Sequence, residues 1–170
     1  LAGVEKVPER LVIVGGGVIG VEFATAFAAF GSKITIIEAM DRILPTLDRE
    51  ISLQLAATLK KKGIEIFTGA MVEKIAPLEN GLQCSFKQKE AAKTVDADCI
   101  LISIGRRANS QGLGLEEAGV ATDRGRILVD SDFRTNVPGI YAIGDVIPGI
   151  QLAHVATAQG SALVEMLAKG

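Results

Sequence analysis

The 170-residue chain has no tryptophan, one tyrosine, one histidine, two cysteines and five prolines. These scarcities exclude whole classes of function. One histidine is too few for most His-based metal centres. Cys84 and Cys99 form neither a C-x-x-C redox pair nor a metal site, and both read as reduced structural thiols in apolar, strand-like contexts. A net charge of −2 gives no electrostatic reason to expect nucleic acid or an acidic membrane surface as partner. No apolar run approaches the roughly 20 residues that a spanning helix needs, and the start lacks a secretory n-region and h-region. There is no internal repeat, low-complexity tract or linker run. The chain reads as soluble and intracellular, in the cytoplasm or an organelle matrix, with no nucleic-acid or membrane partner.

Hydrophobic residues and glycine are abundant instead. A hydrophobic content of 48% with 19 glycines fits a compact α/β protein, and the length suits one domain or one and a part. The chain starts at Leu1 rather than Met and stops at Lys169-Gly170 without a terminal feature, which suggests a piece excised from something larger, or a processed chain.

The most informative stretch lies between residues 10 and 38. Leu11-Val12-Ile13-Val14 is an apolar strand, Gly15-Gly16-Gly17-Val18-Ile19-Gly20 is a G-x-G-x-x-G turn, and Val18 to Phe30 is a helix. Ile34-Thr35-Ile36-Ile37 is a second strand, closed by Glu38. Each part suits a dinucleotide. Gly15 allows the tight turn, Gly17 lets the backbone approach a pyrophosphate, and Gly20 lets the helix lie close to the strands. The amides of the helix start face the phosphate charge. Glu38 is placed to accept hydrogen bonds from a ribose and to repel a 2′-phosphate, which favours NAD over NADP. Strand, turn, helix and an acid some 20 residues onward occur in order, which is far more specific than the glycines alone. A glycine turn packed for fold reasons and a solvated strand-end acid are the plainer alternatives, and FAD uses the same device as NAD.

Farther along, the helix 18–30 carries almost no charge apart from Glu22, so it should be buried on nearly all sides and end at Gly31. Residues 48–62 form an amphipathic helix with Ile51, Leu55, Thr58 and Leu59 on one face, Lys60-Lys61-Lys62 at its tail and Gly63 after it. Ile64–Phe67 is a third strand. Met71–Pro77, Leu82–Gln88 and Thr94-Val95 are short strands, with Asn80-Gly81 as a hairpin turn. Asp98–Ile104 returns to a buried strand ending at Gly105. Gly125–Val129 and Ile140–Ile143 are further strands, Gly144-Asp145 a turn, and Ala153–Ala168 a final helix. The fold class is α/β: a Rossmann-like parallel sheet interrupted by an antiparallel hairpin insertion.

These blocks resemble the two-dinucleotide-binding-domain flavoproteins, the FAD/NAD-linked pyridine nucleotide-disulfide oxidoreductases, and among them the dihydrolipoamide dehydrogenases. The likeness rests on Gly15–Glu22, on Glu38 followed by A-M-D-R-I-L-P, and on Ile104–Asn109. It continues through Thr135–Asp145 and Gln151-Leu152-Ala153-His154. It implies an NAD-binding domain at 1–128 and a segment returning to an FAD domain at 129–170. It implies NAD as cofactor, FAD and a lipoamide-type disulfide substrate in the intact enzyme, and a homodimer of the full-length protein.

Site residues follow from the same resemblance. Gly15, Gly16, Gly17, Val18, Ile19 and Gly20 hold the NAD pyrophosphate, Val21 continues the helix start, and Glu38 holds the adenosine ribose. Glu22 lies near the nicotinamide; the plainer reading is an acid favoured by the helix dipole, although a charge on so apolar a helix needs a partner. Val72 packs against adenine, and Gly105 touches the nicotinamide end. Asp145 bonds the flavin ribityl-phosphate region, and Gln151, Leu152, Ala153 and His154 contact FAD. A turn acid and a structural histidine are the alternatives for Asp145 and His154, and Arg106 and Arg107 read as solvated loop charges. The family's FAD glycine fingerprint, its C-x-x-x-x-C disulfide and its C-terminal His-Glu pair have no counterpart here, so no catalytic residue is assigned and the piece alone should be inactive. Residues from about 129 should then pack abnormally or pair between chains, having lost their partners. A mercuric reductase, an NADH oxidase or a stand-alone NAD-binding module are the competing readings.

Overall fold

A computed structural model describes residues 5–169; Leu1 and Gly170, on which the reading of an excised piece rests, lie outside the described residues. The chain divides into two compact units between Gly105 and Arg106. Each is described by itself.

The first unit contains β1 (Arg10–Val14), α1 (Val18–Ala29), β2 (Lys33–Ile37), α2 (Arg49–Lys61) and β3 (Glu65–Phe67). β4 (Ala70–Leu78), β5 (Gly81–Gln88), β6 (Ala91–Ala97) and β7 (Cys99–Ile102) follow. A four-stranded sheet in the order β3-β2-β1-β7 is parallel throughout, and β4-β5-β6 form a separate antiparallel sheet. The link from β3 to β7 therefore runs through three antiparallel strands instead of a helix. This is the expected insertion.

Strand alternation explains how the parallel sheet is covered on both faces. Leu11, Ile13, Ile34 and Ile36 face one core together with Val21 and Ala24 of α1 and Leu59 of α2. Val12 and Ile37 face a second core with Ala70, Cys84, Phe86 and Ala97 of the antiparallel sheet. Phe86 and the half-buried Phe67 meet as tilted rings at a centroid distance of 5.0 Å across it. Cys84 is a free thiol in this core, and burial pushes its pKa up, which keeps it protonated.

Several local expectations shift. α1 buries only Gly20, Val21 and Ala24, because the unit covers it on one side, and Val18, Ile19 and Phe30 are exposed. The inward face of α2 is Ser52, Leu55, Ala56 and Leu59 rather than the face with Ile51 and Thr58; Ile51 is exposed. Ser52 takes the inward place because its hydroxyl donates to the Ile43 carbonyl at 2.6 Å, which satisfies a buried polar group. Asp48 caps α2 by accepting from the Glu50 amide at 2.8 Å. The β4–β5 turn centres on Glu79-Asn80, one residue before the expected pair, since Leu78 is registered with Gly81. Gly81 is needed instead where a Cβ would meet the Ala97 carbonyl. The β5–β6 turn uses Lys89 and Glu90, both at positive φ, without the usual Gly or Asn signal, so β6 starts earlier than Thr94. β7 is shorter than expected and only half-buried, as an edge strand must be.

At the other end of β1, the Arg10 guanidinium and backbone amide both donate to the Asp98 carboxylate, at 2.6 and 2.8 Å. These bonds hold the Asp98 carboxyl below the usual carboxylate range.

In the second unit, β8 (Thr122–Asp123) and β9 (Arg126–Ile127) form a two-stranded hairpin, and α3 spans Ala153–Lys169. The strand expected over 125–129 shrinks to β9, and that over 140–143 is only a single bridge between Arg134 and Tyr141. Gly144–Val146 is a 3-10 turn. Val120, Ile127, Ala142 and Ile147 form a small core that draws on both sides of position 128. α3 buries no residue, and Val164 and Leu167 are more than half exposed. No helix among the described residues is long and apolar enough to cross a membrane.

The start of α1 lies close against the turn after β1. A Cβ on Gly20 would overlap the Gly15 carbonyl oxygen and lie 2.8 Å from Ser103 Oγ. Gly20→Ala should lower stability by about 2–3 kcal/mol, as overpacking against backbone does, measured by urea unfolding. Phe86→Ala should cost about 3–5 kcal/mol in the same assay. Because the Asp98 pKa is depressed in the folded state, its contribution is present above the unfolded value near ~3.9 and is lost as pH falls through the folded value. Asp98→Asn should therefore reduce the acid-induced fall in Tm below about pH 4.

Candidate functional site: the glycine turn and the strand ends

The turn after β1 sits at the carboxyl end of the parallel strands, where open α/β sheets gather ligands. Gly15 adopts φ +108° and donates its amide to the Ile37 carbonyl at 2.8 Å. A Cβ on Gly15 would meet the Ser103 carbonyl oxygen. Gly16 is hemmed in as well, since a Cβ there would lie 2.8 Å from Ile43 Cγ2. Gly17 differs. It is the N-cap of α1, no side chain caps that helix, and a Cβ on it would meet nothing within 4 Å. Val18 and Ile19, in the first turn, are exposed beside it, and Val21 is buried against the sheet. The turn thus presents an uncapped helix start, with free amides and a positive dipole end, to open space.

Glu38 is 8% exposed, and both carboxylate oxygens are engaged. Oε2 accepts from the Gly16 amide at 2.6 Å and Oε1 from the Met40 amide at 2.7 Å. The acid therefore braces the glycine turn against the strand end, rather than standing free as a ribose acceptor. Each oxygen has a further lone pair for an outside donor. Arg42, close by in sequence, is held by Asp41 at 3.1 Å and by the Pro45 carbonyl at 3.0 Å.

Ser103 is the residue that sequence reasoning missed. Its hydroxyl donates to the carbonyls of Val14 and Gly15 at 3.1 and 3.0 Å, stitching the end of β7 to the turn. A polar residue at the end of an apolar strand was the only signal for it. Gly105, two residues on, is exposed at φ +118°. Val72 is half-buried and packs against the second core, beside a bulge in β4. Glu22 is exposed and forms no ion pair among the described residues, so solvent meets the need for a partner.

In the second unit, Asp145 lies in the 3-10 turn and pairs with Arg106 at 2.8 Å. Arg106 is exposed, as expected of a solvated loop charge, and its partner is Asp145. The Asp145 carbonyl accepts from Gln151 Nε2 at 3.2 Å, and the Gly144 amide donates to Gln159 at 2.7 Å. Leu152 and His154 are exposed, and Ala153 opens α3. No cluster of three or more metal-ligating side chains occurs among the described residues.

The parallel sheet, covered by helices on one face and by antiparallel strands on the other, agrees with what comparison with known proteins finds. The profile described as pyridine nucleotide-disulphide oxidoreductase matches residues 3–160. Dihydrolipoyl dehydrogenase of Bacillus subtilis is 46% identical over 96% of this chain and 35% of its own length. That of Acholeplasma laidlawii is 50% identical over 99% of this chain and 48% of its own. Among solved structures, the flavoprotein disulfide reductase RclA of Escherichia coli superposes with a TM-score of 0.86 at 37% identity, covering 97% of this chain and 38% of that one. LpdA of Mycobacterium tuberculosis gives 0.88 at 31% identity, covering 100% and 37%. The chain spans about a third to a half of the length of the curated relatives it matches. On this likeness over nearly its whole length, the chain belongs to the pyridine nucleotide-disulphide oxidoreductase family.

Proposed function

We propose that residues 1–128 are the NAD-binding domain, and residues 129–170 the segment returning to the FAD domain, of a flavoprotein disulfide reductase. The parent enzyme, on this reading, is a homodimeric dihydrolipoamide dehydrogenase of the cytoplasm or an organelle matrix. It converts dihydrolipoamide and NAD⁺ to lipoamide, NADH and a proton by way of a protein disulfide and FAD. Residues of this chain bind and orient, while the cofactors supply the redox chemistry.

The observation that carries the reading is the open, uncapped start of α1 at Gly17, next to a buried acid at the end of β2. Unsatisfied amides and the helix dipole suit a diphosphate, and the space a side chain at Gly17 would fill is left clear. Glu38 suits an unphosphorylated ribose, because a fixed carboxylate repels a 2′-phosphate. The ties of Arg42 to Asp41 and Pro45 support the same preference. Val72 and Gly105 are assigned to the adenine and nicotinamide ends, and Glu22 to the neighbourhood of the nicotinamide. Asp145 and Gln151–His154 are assigned to FAD in the intact enzyme.

Titration of the chain with NADH and NADPH, followed by nicotinamide fluorescence, tests the reading. NADH should bind more tightly than NADPH. Glu38→Ala should weaken NADH by about tenfold or more, as loss of hydrogen bonds to a charged group implies, and should narrow the preference. Gly17→Val introduces no internal clash, so its fold should survive with only the roughly 1 kcal/mol typical of a poor N-cap, yet NADH binding should be lost. Equal affinity for both cofactors, or unchanged binding in Gly17→Val, would contradict the assignment.

A further inference from the structure

The amides of Gly15 and Gly16 are both taken up inside the protein. Gly15 donates its amide to the Ile37 carbonyl at 2.8 Å, and the Gly16 carbonyl accepts from the Leu44 amide at 2.8 Å. The other two polar groups belong to one peptide unit, and side chains hold both of them. Its N–H, from Gly16, donates to Glu38 Oε2 at 2.6 Å, and its C=O, from Gly15, accepts from the Ser103 hydroxyl at 3.0 Å. Ser103 also reaches the Val14 carbonyl at 3.1 Å, but that oxygen already accepts the Ser103 amide at 2.8 Å. The Gly15 carbonyl has no other donor among the described residues.

The consequence reaches the helix start. The first N–H groups of a helix have no partner within it, and among the described residues no acceptor meets the amides of Gly17, Val18, Ile19 and Gly20. These four, and not the amides of Gly15 and Gly16, are the donors that the turn offers to an anion. Their direction is set by the peptide just before them. Gly15, at φ +108°, and Gly16 have no Cβ to restrict rotation of that peptide, so its orientation depends on the side-chain bonds at its two ends. A donor on the carbonyl and an anion on the N–H polarise the amide in the same sense, and bonds chained in this way strengthen one another. The first turn of α1 rests on the same oxygen, since a Cβ on Gly20 would overlap the Gly15 carbonyl.

We propose that Ser103 is a positioning residue for the dinucleotide: with Glu38 it clamps the Gly15–Gly16 peptide from both ends, and so aims the Gly17–Gly20 amides at the diphosphate. Ser103 acts through this peptide rather than on the ligand. The role deepens the dinucleotide reading and rests on it.

NMR of the 15N-labelled 170-residue chain without cofactor reads the clamp. The Gly16 amide proton, drawn downfield by the Glu38 carboxylate, should move upfield and exchange faster with solvent in Ser103→Ala, although Ser103 does not touch that nitrogen. Fluorescence titration with NADH reads the consequence. Ser103→Ala should weaken the Kd by about fivefold, the loss of one net hydrogen bond. Ser103→Thr keeps the hydroxyl and should restore both the Gly16 signal and the Kd. Combined with Glu38→Ala, Ser103→Ala should cost less than it does alone, because the other end of the peptide is already free. A merely structural serine would lower the melting temperature and leave the Gly16 signal and the Kd of the folded chain as they were. An unmoved Gly16 signal in Ser103→Ala, an unchanged Kd where that signal moves, or fully multiplicative losses in the double variant overturns the role of Ser103. Failure of the unsubstituted chain to bind NADH, with the Gly16 signal still governed by Ser103, contradicts the dinucleotide reading and supports the clamp.

Discussion

A buried carboxylate holds the functional end of the first unit together. Glu38 is nearly excluded from solvent, which would be costly for a charge without partners. Its two oxygens accept backbone amides from either side, Gly16 in the glycine turn and Met40 in the loop beyond β2. Charge-assisted bonds of this kind offset desolvation and fix geometry. Through them the turn, the strand end and the loop become one body, reinforced where the Leu44 amide donates to the Gly16 carbonyl at 2.8 Å. The open helix start at Gly17 has a defined position because its neighbour is held in this way.

Close backbone approach supplies the second constraint. Gly15 and Gly20 lack side chains where Ser103 and the turn's own carbonyl leave no room for them. Ser103 adds two hydrogen bonds to the same point, so β1, α1 and β7 meet around a few atoms. Covering the other face of the sheet with antiparallel strands gives β1 and β2 apolar neighbours above and below. That double burial is why their sequences are almost continuously hydrophobic.

The second unit is held differently. Its core is four buried apolar residues, and much of its order comes from turns and side-chain bonds to backbone, such as Asn136 to Ala121 and Gly119 at 2.7 and 2.8 Å. α3 has no buried residue and presents apolar side chains outward. A family position in which the chain spans a third to a half of its relatives gives a physical context for such a surface.

Much of this architecture was legible in the chain itself, because local rules dictate it. Apolar runs of strand length, the glycine spacing of the first turn and the acid after β2 specify a β-α-β unit whatever surrounds it. The glycine turn, the antiparallel insertion and the family resemblance were readable for that reason. Other features depend on what lies across space. Whether Ile51 or Ser52 points inward in α2 was decided by the Ile43 carbonyl, and periodicity carries no record of that acceptor. Glu38 was visible as a strand-end acid, but its brace on Gly16 and Met40 exists only once the turn has folded over it. Ser103 is an ordinary polar residue at a strand end in one dimension. It becomes a partner of the glycine turn, 88 residues away along the chain, only because β7 lies beside β1, and a hydrogen bond depends on distance and angle in space rather than separation in sequence.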